Sequence, residues 1–252
     1  STNGDKYEGE WENHKRNGVG VIIYANGDRY NGSWKYGEKT GQGVFRYNDG
    51  DQYEGDWKND KQDGIGKYIY SNGDIYEGEY SQGMMQGWGT YFHSSGNIYK
   101  GYWENDKKEG QGTFTYTNGE EYDGQWSNDQ MTGLGTYTYL NGDFYVGNLK
   151  VGKREGFGSI TFANGEKYEG IWKKDKMVGE GKYYYQNGDI YEGEWENDRR
   201  HGNGLLTYDN GNTYDGKWKN GKRYGEGIIK NIVDGYEYSG TWVNDQKNGK
   251  GI

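Results

Sequence analysis

Residues 53–75 read YEGDWKNDKQDGIGKYIYSNGDI, and this stretch decides the fold of the chain. Tyr53, Gly55 and Trp57 stand at every second position, which is the side-chain period of a β-strand. The later segment GIGKYIY keeps the same alternation. Two strands are therefore predicted, with a longer polar loop at NDK between them. Asn-Gly at 72–73 predicts a tight type I′ turn into the next strand.

The same pattern recurs every 23 residues, with one final step of 24. Of the 48 glycines, all but four fall on its four glycine positions. The chain divides into the tail of a preceding repeat at residues 1–6, ten repeats at 7–237 and a partial terminal repeat at 238–252. Because the chain opens inside the pattern, we expect a longer array upstream. The ten repeats start at Tyr7, Tyr30, Tyr53, Tyr76, Tyr99, Tyr122, Tyr145, Tyr168, Tyr191 and Tyr214.

Composition indicates a thin core built from aromatic rings. The chain has 28 Tyr and 10 Trp, while only 30% of its residues are hydrophobic. Glycines between the rings predict that each ring lies over bare main chain. We therefore expect an all-β fold, an elongated single-layer antiparallel meander of about ten to eleven 23-residue β-hairpin repeats with about 21 strands. In the first repeat, the structural core is predicted at Tyr7, Gly9, Trp11, Gly18, Gly20 and Tyr24.

Cysteine content, net charge and the length of apolar runs disfavour several classes of function. The chain has no Cys, so disulfides and thiolate metal sites are excluded. A net charge of −9 opposes binding to nucleic-acid phosphates. No apolar run approaches the roughly 20 residues that cross a bilayer.

No residue set predicts catalysis, a cofactor or a metal. His14, His93 and His201 occupy unrelated positions of different repeats, so they are not expected to converge. Two series of carboxylates recur with the repeat, and they indicate either a surface that attracts a basic partner or a solvated face that resists aggregation. The first series is Glu8, Glu54, Glu77, Asp123, Glu169, Glu192 and Asp215; the second is Asp28, Asp51, Asp74, Asp143 and Asp189.

Two apolar groups are candidate interaction surfaces. The position between the two glycines of Gly-x-Gly faces away from the rings. In the third, fourth, sixth and seventh repeats it is apolar, which favours a partner surface there. Local packing is the alternative explanation. The second group surrounds the single inserted residue and predicts a homodimer interface at the end of the array. The partner surface is Ile65, Trp88, Leu134 and Phe157; the dimer interface is Ile228, Ile229, Ile232, Val233, Tyr236 and Tyr238.

The unit Tyr-x-Gly-x-Trp, Gly-x-Gly and Tyr-x-Asn-Gly-Asp resembles the MORN (membrane occupation and recognition nexus) repeat. The chain is similar to MORN-only scaffold proteins of protists. That resemblance implies twisted single-layer sheets, a cytoplasmic, cytoskeleton-associated role near a membrane, cytoskeletal protein partners, and dimerisation through repeats near one end. It also implies weak phospholipid contact, because some relatives have been assigned lipid binding.

The function predicted from these observations is a non-enzymatic, elongated scaffold for protein interactions. One alternative is a peripheral phospholipid-binding module, although acidic side chains oppose an anionic bilayer. A second alternative is an aromatic-repeat binder of choline or carbohydrate, which requires accessible rings.

Overall fold

The computed structural model describes residues 4–252 as β-strands joined by turns, with no helix in that range. The chain divides into two compact units, one ending at Gln130 and the other beginning at Met131. The predicted all-β class and its antiparallel hairpin repeats are confirmed. Residues 1–3 of the predicted N-terminal tail lie outside the described residues.

Within the N-terminal unit, each strand pairs antiparallel with the strand that follows it in the chain. Strands of seven and nine residues alternate. The strands are β1 (Lys6–Glu12), β2 (Lys15–Ile23), β3 (Arg29–Lys35), β4 (Glu38–Arg46), β5 (Gln52–Lys58), β6 (Lys61–Ile69), β7 (Ile75–Ser81), β8 (Met84–Phe92), β9 (Ile98–Glu104), β10 (Lys107–Thr115) and β11 (Glu121–Ser127).

In the C-terminal unit each strand likewise pairs antiparallel with the next. The described chain has 22 strands where the sequence predicted about 21, because the partial terminal repeat still forms a second strand. The strands are β12 (Gln130–Thr138), β13 (Phe144–Lys150), β14 (Lys153–Thr161), β15 (Lys167–Lys173), β16 (Lys176–Tyr184), β17 (Ile190–Glu196), β18 (Arg199–Thr207), β19 (Thr213–Lys219), β20 (Lys222–Asn231), β21 (Tyr236–Val243) and β22 (Gln246–Gly251).

The turn inside each repeat is shorter than the sequence predicted. In the third repeat, Lys58 pairs with Lys61, so only Asn59 and Asp60 lie between the strands. Both have positive φ, 49° and 66°. This is the two-residue type I′ geometry, which matches the right-handed twist of the flanking strands. Asn and Asp tolerate it because they are the side chains most often found in the left-handed region.

The turn between repeats is longer, so the type I′ prediction for Asn-Gly is wrong. Tyr70 N donates to Asp74 O (2.9 Å), and Gly73 N donates to Tyr70 O (2.9 Å). Of the three loop residues, only Gly73 has positive φ (90°). This is a type I turn followed by a glycine bulge. Asn72 Oδ1 accepts from Asp74 N (2.9 Å), an Asx contact that holds this turn.

A bulge interrupts the paired strands of a repeat, as in the first repeat. β1 and β2 shift register between Gly9 and Trp11. Gly18 lies in this bulge with φ of 66°, and the Glu10 carboxylate fills the space that a side chain at Gly18 would need. The predicted alternation therefore fails at Gly18, because the extra residues change the direction in which the chain presents its side chains. It resumes at Gly20, where a side chain would meet the Tyr7 ring.

Tyrosine rings fill the space over the remaining paired glycines. A Cβ at Gly66 would collide with the Tyr53 ring, and Gly55 on the neighbouring strand is covered by the same hydroxyl. Neither glycine is required by φ. Gly66 is required by the close approach of the ring, and Gly55 by the close approach of the paired main chain at Gly66 and Ile65. The rings are sealed from solvent in nine repeats, at Tyr30, Tyr53, Tyr76, Tyr99, Tyr122, Tyr145, Tyr168, Tyr191 and Tyr214.

Candidate partner-binding surfaces

The inner face is the side of each sheet on which the repeat Tyr and Trp rings lie. Tyr30 makes edge-to-face contacts with Trp34 of its own repeat and with Trp57 of the next, both at 5.2 Å between ring centroids. Trp57 Nε1 donates to Gly43 O of the preceding repeat (3.1 Å). Such ring pairs contribute about 0.5–1.5 kcal/mol beyond burial alone. Each repeat is therefore held chiefly by its immediate neighbours.

The first repeat and the fourth depart from this arrangement. Trp11 is 59% exposed, whereas Trp34 is 2% exposed and packs against the Tyr7 ring at 5.5 Å. Tyr80 replaces Trp in the fourth repeat, and its buried hydroxyl has no hydrogen-bond partner among residues 4–252. Burial raises the pKa of Tyr80 far above its usual value. In both repeats an aromatic side chain still occupies the Trp position of the pattern.

Cations of the chain cover the inner-face rings. Lys39 is 9% exposed, and its Nζ lies 4.7 Å from the ring centroids of both Phe45 and Trp57. Burial lowers the pKa of Lys39 from its usual value. The Arg154 guanidinium lies 4.1 Å from the Trp172 centroid in the same way. These repeat rings are buried and already meet internal cations, so they lack the exposed cages that the choline or carbohydrate alternative requires.

The second carboxylate series joins successive turns. Asp74 Oδ1 accepts from Ser94 N (2.7 Å) and its Oδ2 accepts from Tyr91 OH (2.8 Å). These donors hold the pKa of Asp74 at about 2. Asp28 Oδ1 accepts from Asn48 N (2.8 Å) in the same manner. Their spacing predicted only a charged surface, whereas in the structure these carboxylates link neighbouring repeats.

The outer face is the opposite side of each sheet. In the N-terminal unit, Ile65 and Trp88 are exposed there, Trp88 to 56%. Tyr102 pairs with Trp88 across β8 and β9, with their rings edge to face at 6.2 Å. Glu79 Oε1 accepts from Trp88 N (3.0 Å), which holds the bulged backbone beneath the ring. The predicted positions are thus exposed, and Tyr102 is an additional aromatic neighbour that only the strand register identifies.

In the C-terminal unit, Leu134 and Phe157 are each 61% exposed on the outer face. Phe157 lies directly opposite Ile171 in the β14–β15 ladder, and Ile171 is also exposed. Leu134 lies opposite Asn148. The structure therefore adds Ile171 to the surface predicted at Phe157. Its position before the bulge differs from the Gly-x-Gly position, which is why the spacing analysis missed it.

The six predicted dimer residues fall in three places. Ile229 pairs with Tyr238, whereas the adjacent Ile228 pairs with Ser239 on the opposite side of the sheet. Ile232 and Val233 are exposed in the turn after β20.

Tyr236, the sixth of these residues, is exposed and pairs with Asn231 at the end of β20. Among the described strands, β22 pairs only with β21, so the edge of the C-terminal unit is β22. None of the six predicted residues lies in β22. That edge has the polar sequence QKNGKG, a composition that resists further strand pairing.

The three histidines lie in different repeats, His14 and His93 in the N-terminal unit and His201 in the C-terminal unit. His14 lies in a type I′ turn with φ of 62°, and His93 takes a tyrosine position beside the Tyr91 ring at 4.6 Å. Burial lowers the pKa of His93. His201 Nδ1 lies 3.1 Å from Glu196 Oε2. Among residues 4–252, no three His, Cys, Asp or Glu side chains are grouped to hold a metal ion, and no helix in that range could span a membrane.

Comparison with solved structures finds weak likenesses. The TCP domain of SAS-4 (dCPAP) of Drosophila melanogaster, in complex with a proline-rich motif of Ana2, shares 13% identity over 71% of this chain and 90% of its own, with a TM-score of 0.41. The wild-type TCP10 domain of Danio rerio CPAP shares 11% identity over 78% of this chain and 93% of its own, with a TM-score of 0.46. At these scores the likenesses carry no argument about function. No curated protein matches the chain significantly.

The MORN repeat family matches the chain in eleven consecutive segments. They are residues 7–29, 30–52, 53–75, 76–98, 99–121, 122–144, 145–167, 168–190, 191–213, 214–230 and 238–252. These segments follow the Tyr-x-Gly-x-Trp period and the hairpins described above. The chain therefore belongs to the MORN repeat family.

Proposed function

We propose that this chain is a non-enzymatic scaffold whose outer face binds protein partners. The observation that supports it is the exposure of the Trp88 ring on the outer face, where it packs edge to face with Tyr102. A large exposed aromatic side chain is typical of interface anchors, because it buries much apolar area at a low cost in side-chain entropy. Phe157 beside Ile171 offers a second anchor in the C-terminal unit.

The inner face is the weaker candidate for such binding. From the second repeat to the tenth the Tyr and Trp rings at its repeat positions are buried, and cations such as Lys39 and Arg154 lie over them. A partner would have to displace these cations before it could reach a ring. The outer-face anchors need no such rearrangement, which favours rigid docking.

A paired substitution tests the scaffold proposal. Trp88→Ser with Phe157→Ser should lower the capture of specific partners from source cells several-fold, measured by quantitative mass spectrometry. Gln111→Ser with Asn203→Ser is the matched control, because both residues occupy the same repeat position and are polar. Equal capture by both variants and the unsubstituted chain would remove the outer face from the proposal.

The proposal also covers the kind of partner and its location in the cell. We propose cytoskeletal partners in the cytoplasm near a membrane, as the family resemblance implies. Phospholipid binding is the alternative, and the net charge of −9 opposes it on an anionic surface. Co-sedimentation with phosphatidylserine liposomes separates the two, since the scaffold proposal expects the chain to stay in the supernatant.

A homodimer through the end of the array is also part of the proposal. Ile232 and Val233 support it, because two aliphatic side chains stand exposed in one turn. Sedimentation equilibrium at high micromolar concentration should show a dimer for the unsubstituted chain and a monomer for Ile232→Ser with Val233→Ser. A monomer in both samples would contradict dimerisation.

A further inference from the structure

The outer face of the C-terminal unit contains a shallow groove beside the Phe157 anchor. Its volume is about 300 Å³, and its floor is the paired backbone of Gly170 and Gly181. A Cβ at either position would point to the inner face, toward the Tyr168 ring, so these two residues place no side chain in the groove and leave their main chain open to a ligand. We call this the β14–β17 groove; it is lined by Phe157, Glu169, Gly170, Glu180, Gly181, Lys182 and Glu192.

One wall of the β14–β17 groove is electrostatically balanced. Lys182 Nζ lies 3.2 Å from Glu192 Oε2, and Glu169 Oε1 lies 2.5 Å from Lys167 Nζ. Lys182 also stands opposite Glu169 in the β15–β16 ladder. Each carboxylate of this wall therefore already has an ammonium partner within the chain.

The other wall contains an unbalanced pair of like charges. Glu180 lies directly opposite Glu194 between β16 and β17. Glu194 Oε1 accepts from the main chain and side chain of Asn203 (2.8 and 3.0 Å), whereas Glu180 has no hydrogen-bond or ion-pair partner among residues 4–252. Like charges directly opposite each other destabilise a sheet. A cation from outside would remove that repulsion.

Four consecutive strands thus present, in order, Phe157, Ile171, Glu180 and Glu194 on one face. Adjacent strands are about 4.8 Å apart, so the centre of the apolar pair lies about 7 Å from Glu180. In an extended segment, residues two apart point the same way and are also separated by about 7 Å. The charge and the spacing fit an apolar residue and an arginine separated by one residue.

A groove at the position five repeats earlier lacks this combination. That groove, of about 630 Å³, is lined by Gln42, Asp56 and Ile65 at the corresponding positions of the N-terminal unit. Gln42 Nε2 and Ile65 N both donate to the Asp56 carboxylate. The same backbone therefore carries side chains that satisfy one another, and no uncompensated carboxylate pair stands beside an apolar pair.

We propose that the β14–β17 groove binds a basic extended segment of a protein partner with the pattern apolar-x-Arg. The apolar side chain packs on Phe157 and Ile171, the arginine stem lies over Gly181, and its guanidinium meets Glu180. The inference deepens the proposed scaffold function and rests on it. It assigns the chemistry of one partner contact.

The experiment uses the full chain, labelled with ¹⁵N, and the probe peptide acetyl-Gly-Leu-Ser-Arg-Gly-Leu-Ser-Arg-Gly-amide. Titration should shift the amide resonances of Phe157, Ile171 and Glu180. Glu180→Gln should weaken binding about threefold, the range of an exposed ion pair. Glu226→Gln is the matched control, because it shares the repeat position but accepts from Thr241 Oγ1 (3.0 Å); it should leave the affinity unchanged.

Three results with the peptide would overturn the inference. They are equal loss of affinity in both variants, equal binding of a peptide in which Glu replaces Arg, and shifts confined to residues outside the groove. Liposome binding that is lost in Phe157→Ser would assign the surface to a membrane and would overturn it as well. Glu180→Gln removes a like-charge contact, so its melting temperature should not fall, and weaker binding then reports the lost carboxylate.

The two proposals fail separately. If partner capture depends on Trp88 and Phe157 but the peptide does not bind at Glu180, the scaffold remains and the basic partner is wrong. If the peptide binds but capture is independent of both anchors, the scaffold function is wrong.

Discussion

The second glycine of each Gly-x-Gly segment makes room for the buried tyrosine ring of the repeat. At Gly66 the backbone is extended, and the missing side chain leaves the space that the Tyr53 ring occupies. The ring then donates through its hydroxyl to Asp56 O (3.0 Å). One missing Cβ thus allows a ring both to bury its faces and to satisfy its polar end.

Gly66→Ala tests this complementarity. We expect it to lower the free energy of unfolding by about 2–3 kcal/mol, because the added methyl group overlaps the Tyr53 ring. Tyr53→Leu in the same chain removes the overlapping ring edge, so the two changes together should cost less than the sum of each alone. Urea denaturation of the four chains measures this coupling, and strict additivity would contradict it.

The sequence predicted this residue-scale packing well and predicted the polar residues poorly. Tyr53 and Gly66 fit together because one side chain is large and the other is absent, and their regular spacing in the sequence predicts this fit. Asp74 stabilises the array by accepting two hydrogen bonds, from Ser94 N and from Tyr91 OH. Those partners are separated from it by about 20 residues, so they become visible only once the hairpins are in register.

At the scale of the element, the two turns differ in which residues take positive φ. Asn59-Asp60 takes it at both positions, whereas the Asn-Gly loop takes it only at Gly73. Dipeptide preference alone predicted a type I′ turn at Asn-Gly. The φ values decide between the two turn types, and the side chains of Asn72 and Asp60 each accept a hydrogen bond in the turn that forms.

Asp60 variants separate conformation from hydrogen bonding. Asp60→Ala should cost about 1–2 kcal/mol, because alanine disfavours positive φ and cannot accept from Lys39 N (2.9 Å). Asp60→Asn should be nearly neutral, since it tolerates the same φ and retains an acceptor. Asp60→Gly should fall between them. Thermal denaturation gives the order, and an alanine variant as stable as the asparagine variant would contradict it.

At the scale of the whole molecule, stability within each unit comes from neighbouring repeats. In the C-terminal unit, Trp195 contacts Tyr191 of its own repeat and Tyr168 of the preceding one. Its indole donates to Gly181 O (3.2 Å). Such nearest-neighbour coupling is the rule in repeat proteins, in which local opening can stay local.

Hydrogen exchange on Trp195→Ala should reveal this locality. The variant leaves a cavity between two repeats, so amides of β15 to β18 should lose protection first. Amides of β20 and β21 should lose much less, because no ring contact of Trp195 reaches them. A uniform loss across the C-terminal unit would show instead that the unit opens as one cooperative body.

The single inserted residue shows how much freedom the turns retain. After it, Ile229 still pairs with Tyr238, and Ile232 N still donates to Asn212 Oδ1 of the preceding repeat (3.0 Å). The extra length is taken up wholly between Asn231 and Tyr236. Longer loops could therefore be grafted at this rim, by natural divergence or by design, and display new recognition elements while the framework beneath them stays unaltered.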